Sequence, residues 1–147
     1  MAGLTVKSPA FETNRLIPAK YTCEGDEVNP PLTIEGVPPG TKTLPLIIDD
    51  PDAPRGTFDH WVVWDTSPAG KIAENSVPGT EGLNSAGERG YMGPCPPSGT
   101  HRYFFKVYAL DTKLGLKLDA RKRDVEKAME NHVLAKGELV GLYSRFR

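Results

Sequence analysis

Fourteen prolines and fifteen glycines cut this 147-residue chain into short pieces. They fall in clusters: Pro30-Pro31, Pro38-Pro39-Gly40, Pro51 with Pro54, and Pro94 with Pro96-Pro97. Proline fixes φ and removes a backbone donor, while glycine opens turns closed to other residues, so each cluster stops the element before it. The apolar runs left between them have the length of strands rather than of helices. Those runs interrupt the clusters everywhere, which is unlike a low-complexity linker. No internal repeat divides the chain, and its length suits one domain, 1–147, with a core of its own.

Three runs read as principal strands. Residues 43–48 are apolar, with Pro45 expected near the start or on an edge because it cannot donate to a ladder. Asp49 and Asp50 end that run, and Pro51 holds Asp50 extended. His60-Trp61-Val62-Val63-Trp64 forms the second, and Arg102 to Leu110, rich in aromatics and valine, the third. Weaker strands are expected near 4–8, 31–34 and 139–143. One helix is predicted over 121–135, about 120–136 with its caps, with Asp119 as N-cap and Gly137 as stop. Its apolar side carries Val125, Ala128, Met129, His132 and Val133. The expected class is mainly β, a sandwich of antiparallel sheets with one or two peripheral helices.

The formal charge of −1 and 25% charged residues provide no basic field for nucleic acid. The N-terminus lacks a basic start and a long apolar stretch, and no later run could span a bilayer, so a cytoplasmic location without membrane insertion is expected. Cys23 and Cys95 have neither zinc-site nor C-x-x-C spacing. In a reducing cytoplasm two free thiols are the favoured reading, a disulfide requiring the fold to bring them together.

Two of the three histidines stand at strand starts, His60 and His101. Residues i and i+2 of a strand share a face about 7 Å apart. If the strand begins at His101, then His101 and Tyr103 project together and Arg102 points away. Asp50 closes one strand as His60 opens another, and strand ends gather at the rim of a sandwich, where loops build sites. Asp50 could orient an imidazole, or accept the proton of a monoprotonated phosphate. The loop from Gly93 to Gly99 offers glycines for close approach and prolines for rigidity. The bland alternatives are a capped strand end and a plain rigid turn. Asp50, His60 and His101 could also make a two-histidine, one-carboxylate metal site, but nothing places a fourth ligand, and no metal or other cofactor is expected. Cys95 or Ser98 beside a histidine could act as a nucleophile, yet no nucleophile elbow is present. His132 reads as a surface or packing residue, and Glu81, Glu88 and Arg89 as solvated loop charges.

The motifs Tyr21-Thr22-Cys23-Glu24-Gly25, Asn29-Pro30-Pro31-Leu32, Asp49-Asp50-Pro51-Asp52-Ala53-Pro54, His60-Trp61-Val62-Val63, Gly90-Tyr91 and Gly93 through Tyr103, with Glu138 through Tyr143, resemble the phosphatidylethanolamine-binding protein family, also called Raf-kinase-inhibitor-like proteins. The compact bacterial and archaeal branch is the nearest in pattern, over almost the whole chain. The resemblance implies a β-sandwich with a pocket for phosphate, acetate-like anions, phosphoethanolamine head groups or phosphorylated side chains. It implies Asp50, His60, His101 and Tyr103 around the ligand, Gly93 and Cys95-Pro96-Pro97 as one wall, and Pro54 opposite. Ile34, Asp65 and Met92 depart from the family's usual Trp, Asn and small residue. The longer C-terminal tail of animal members is lacking, so control of a Raf-type kinase is not carried over.

The expected function is a non-catalytic module that captures a small phosphoryl or carboxylate anion, in some settings displayed on a protein partner. Two other readings stand beside it: inhibition of a serine protease through the loop 75–89, and regulation of a kinase pathway by phosphopeptide capture. A homodimer is a modest expectation drawn from bacterial relatives.

Overall fold

The computed structural model describes residues 3–145. Its strands run in chain order as β1 (Thr5–Lys7), β2 (Arg15–Leu16), β3 (Leu32–Glu35), β4 (Leu46–Asp50), β5 (Phe58–Trp64), β6 (Lys71–Ile72), β7 (Thr80–Glu81), β8 (His101–Leu110) and β9 (Val133–Tyr143), with the helix α1 (Lys122–Met129) before the last. Six strands form one sheet in the order β2-β9-β8-β4-β5-β7, and three form another in the order β1-β3-β6. Pairing is antiparallel throughout, except that β2 runs parallel to β9. The sequence reading did not place the short strands β2, β6 and β7.

The large sheet is covered on both faces, which is why its central strands are almost continuously apolar. Period-2 alternation divides each strand between two cores. Leu46 and Ile48 of β4, Trp61 and Val63 of β5, and Tyr103, Phe105 and Val107 of β8 face the small sheet. Ile47, Val62, Trp64 and Leu110 face the other way and pack under α1 through Val125 and Met129. The alternation in β8 runs unbroken from His101 to Ala109, all five odd-numbered residues being buried.

Three expectations are corrected. The helix ends at Met129, not 135, because Val133–Tyr143 is committed to the longest ladder of the fold, paired with β8 from His101↔Tyr143 to Leu110↔Val133. The main-chain hydrogen bonds of that ladder outweigh the local helical pattern at Val133 and Ala135. The chain turns between helix and strand at Asn131, whose φ of 68° is left-handed. Gly137 is no helix stop: it lies within β9, where a Cβ would collide with the carbonyl oxygen of Leu4. The N-cap is Arg121 rather than Asp119, with the Asp124 carboxylate accepting from the Arg121 N–H at 2.9 Å.

The thiols are not free. Cys23 and Cys95 are joined in a disulfide that spans 72 residues of sequence, with Cα atoms 5.5 Å apart. Linking positions so distant removes much of the unfolded chain's freedom, roughly 4 kcal/mol in the chain-entropy picture.

Candidate functional site

The six-stranded sheet delivers the site residues to one end of the sandwich. Asp49 and Asp50 are the last residues of β4, and alternation sends them to opposite faces. Asp49 turns to the helix side, where Lys106 Nζ lies at 2.9 Å and Lys122 Nζ at 3.3 Å. Asp50 turns to the face carrying His101 and Tyr103. Its Oδ1 accepts the Asp52 N–H at 2.8 Å, and its Oδ2 lies 2.7 Å from His101 Nδ1. A carboxylate can only accept here, so Nδ1 of His101 carries a proton and Nε2 is left for a ligand.

His60 reaches the same place through a break in register. Trp61 pairs with Ile48, but the next pair is Asp59 with Asp49, so His60 and Trp61 together oppose Ile48. This bulge turns His60 to the pocket face; in a regular strand it would share the helix side with Val62 and Trp64. Its Nδ1 lies 2.8 Å from the Met92 carbonyl oxygen, which fixes the proton on that nitrogen and leaves Nε2 toward the cavity. Burial, the largest influence, lowers the His60 pKa, against the raising effect of the Met92 bond and the nearby carboxylates. The His60 ring meets that of Tyr103 edge-on at 5.3 Å.

Tyr103 is fully buried, and its hydroxyl has no hydrogen-bond partner among the described residues. Burial first, and then the Asp50 charge, push its pKa up, so the phenol stays protonated and able to donate. These groups and the loop enclose a cavity of about 210 Å³. All nine residues singled out in the sequence, Asp50, Pro54, His60, Gly93, Cys95, Pro96, Pro97, His101 and Tyr103, line it. Ala53, Phe58 and Met92 line it too. Phe58 was missed, although the i, i+2 rule applied backwards from His60 points to it.

The loop is held from outside. The Tyr91 hydroxyl donates to the Tyr21 carbonyl at 2.7 Å, the Gly93 N–H to Glu27 Oε2 at 3.1 Å, and Arg145 Nε to the Pro96 carbonyl at 2.8 Å. A Cβ on Gly93 would lie 2.7 Å from the Tyr21 carbonyl oxygen, so this position admits glycine because two backbones touch there. Arg102 points away, as alternation predicts, and clamps Asp52 through Nε at 2.9 Å and Nη2 at 2.8 Å. The Arg102 bond holds the Asp52 carboxyl down at about 2. The clamp braces the turn that carries Pro54.

Other expectations change here. Cys95 is oxidised, which removes it as a nucleophile. Ser98 is exposed on the loop. Glu81 is not a solvated charge: its Oε2 accepts from Trp61 Nε1 at 2.7 Å, and its carbonyl accepts from Arg89 Nε at 2.9 Å. Glu88 is exposed as expected, with its main chain bonded to Asn84. The segment 75–89 is fastened to the large sheet through Val63↔Glu81 and Trp64↔Thr80, and the Leu83↔Arg89 bridge folds it back on itself. His132 is half exposed and pairs with Asp111 at 2.8 Å. Among the described residues no group of three His, Cys, Asp or Glu is placed to hold a metal ion, and no helix is long and apolar enough to cross a membrane.

The buried His60 makes stability depend on pH. Its folded pKa lies below the unfolded value of about 6.5, so the unfolded chain binds the proton more readily. Its contribution is complete above that value and is lost as pH falls through it toward the folded pKa. Urea unfolding at pH 7.5 and 5.5 should show a loss of stability that His60→Asn, which keeps a donor for Met92, reduces. Identical pH dependence in the two proteins would remove His60 as the cause.

Residues 7–144 match the family described as phosphatidylethanolamine-binding protein. The chain belongs to the phosphatidylethanolamine-binding protein family. It is 52% identical over 149 residues to a UPF0098 protein of Pyrococcus horikoshii, covering 94% of this chain and 75% of that protein. It is 50% identical over 154 residues to a UPF0098 protein of Archaeoglobus fulgidus, covering 99% of this chain but spanning only 52%, about half, of that relative. Among solved structures, a phosphatidylethanolamine-binding protein homologue of Chlamydia trachomatis superposes with a TM-score of 0.95 at 40% identity, covering 98% of this chain and 99% of that one. YbcL of E. coli superposes with a TM-score of 0.88 at 29% identity, covering 99% of this chain and 100% of that one.

Proposed function

We propose that this protein is a binding module, without turnover, for a small phosphoryl or carboxylate anion. The observation that carries the reading is the buried Tyr103 hydroxyl, which has no partner at full hydrogen-bond geometry among the described residues and lies beside the Asp50–His101 pair. A buried donor without a partner costs about 1–3 kcal/mol, and a ligand oxygen in the cavity would recover it.

The ring of groups favours a ligand with both acceptors and a donor. Tyr103 donates. His101 presents Nε2 to the ligand, its Nδ1 proton being held by Asp50. His60, neutral by burial, and Asp50 can each accept. Monoprotonated phosphate supplies oxygens and a hydroxyl, and phosphoethanolamine supplies oxygens and an ammonium. The names of the relatives point to the same head group. A phosphorylated side chain on a partner protein presents the same chemistry, so the kinase-pathway reading is a version of this one.

The test is an NMR titration of the His60 and His101 ring signals with phosphate and with phosphoethanolamine, His132 serving as internal control. Saturable shifts of both pocket rings with His132 unmoved support the module. No shift up to millimolar ligand sinks it.

A further inference from the structure

We propose that the Cys23–Cys95 disulfide is a thiol–disulfide exchange site whose redox state gates the anion pocket. The inference rests on the pocket reading above and adds its control.

The wall formed by Gly93, Cys95, Pro96 and Pro97 belongs to a stretch, residues 91–100, with no helix or strand of its own. Three of the four residues 94–97 are prolines, so Cys95 alone has a backbone N–H there. Such a segment cannot hold itself by main-chain hydrogen bonds, and its order must come from tethers. On one side these run to residues 21–27: the Cys23 N–H donates to the Pro94 carbonyl at 3.1 Å, alongside the Tyr91 and Gly93 bonds. The disulfide is the one covalent tether, and it attaches at the residue that lines the cavity. Removing it leaves part-buried hydrogen bonds, among them the Met92 N–H to the His60 carbonyl at 3.0 Å, each of modest net worth.

The bond is also within reach. Cys95 is exposed and Cys23 half-buried, so a thiolate can approach from solvent. The co-reactant is a dithiol, of the kind that a reducing cytoplasm maintains. Its first thiolate attacks Cys95 Sγ, the S–S bond breaks, and Cys23 leaves as a thiolate that takes a proton. The second thiol of the reductant then attacks the mixed disulfide and releases Cys95, which is protonated in turn. Two electrons and two protons pass to the protein, and the reductant leaves as a disulfide. The oxidised protein keeps its wall in place; the reduced one samples an open wall. If the closed arrangement falls to about one part in ten, apparent affinity falls about tenfold.

The experiment titrates phosphate calorimetrically into oxidised protein, into protein reduced with dithiothreitol, and into the double variant C23S/C95S, with hydrogen exchange of residues 91–101 followed alongside. The expected result is about tenfold weaker binding and faster exchange in the reduced protein and in the double variant, with reoxidation restoring only the former. Equal affinity in both redox states overturns the gate while leaving the pocket reading intact. No binding in either state overturns the pocket reading and the gate with it. Loss of the far-UV spectrum in both the reduced protein and the double variant also overturns the gate, because gating requires the sandwich to persist.

Discussion

His101→Ala should weaken phosphate binding by roughly ten- to 150-fold and destabilise the protein at the same time. The imidazole and the Asp50 carboxylate are both nearly inaccessible, with side-chain exposures of 9% and 4%. Removing the ring takes away a charge-assisted hydrogen bond to the ligand, worth about 1.5–3 kcal/mol, or roughly ten- to 150-fold in affinity. It also strands Asp50. Leaving a buried acceptor without its partner costs about 1–3 kcal/mol, at the upper end or above for a charged carboxylate. For a chain of this size, each kcal/mol corresponds to about 2–4 °C, so Tm should fall by roughly 10 °C. Asp50→Asn separates the two effects. It should weaken binding as well, yet the double variant D50N/H101A should be more stable than H101A, because the stranded charge is gone. Phosphate binding unchanged in His101→Ala would remove the pocket from the function.

The second large effect belongs to the core. Phe105→Ala should destabilise by about 3–5 kcal/mol, whereas Phe104→Ala should cost about 1 kcal/mol. The two residues are neighbours in β8 on opposite faces. Phe105 is 1% exposed, packs between the sheets and lies 5.6 Å from the Phe11 ring. Phe104 is half-buried beneath Arg102 and Lys106, whose charged groups sit 5.5 and 5.9 Å from its ring centre. Urea unfolding of the two variants measures the difference directly. Comparable losses would show that the face assignment of β8 is wrong, and with it the orientation of His101 and Tyr103, which share the face of Phe105.

Control of the pocket by redox state would explain why a loop rich in proline carries a cysteine. The prolines narrow the loop's own conformations but do not fasten it to residues 21–27. A covalent tether can be released by chemistry, whereas proline rigidity cannot.

Much of the site was legible because it depends on local geometry. Alternation along β8 puts His101 and Tyr103 on one face and Arg102 on the other, and no distant contact is needed to know it. The Pro and Gly clusters mark strand ends for steric reasons that act within one or two residues. Asp50 and Pro54 follow from the third of those clusters, and Gly93 through Pro97 from the last. The family resemblance tied these pieces together.

What escaped the sequence depends on pairing between segments far apart. Nothing within His60-Trp61-Val62-Val63-Trp64 announces the bulge that turns His60 toward the cavity; the bulge exists only against β4. The end of α1 is decided by β8, whose ladder claims Val133–Tyr143 although Val133 continues the helical periodicity. Glu81 looks solvated until β7 lies beside β5 and brings Trp61 Nε1 to it. The disulfide closes across 72 residues, and the two cysteines say nothing in sequence about the 5.5 Å between their Cα atoms. The sequence by itself determined which residues share a strand face, where the principal strands stop and which groups line the cavity, since sterics and the two-residue period act over a few bonds. Register, the bulge and the covalent tether were decided by tertiary structure alone, since each is a relation between surfaces that come together only when the sheets are formed.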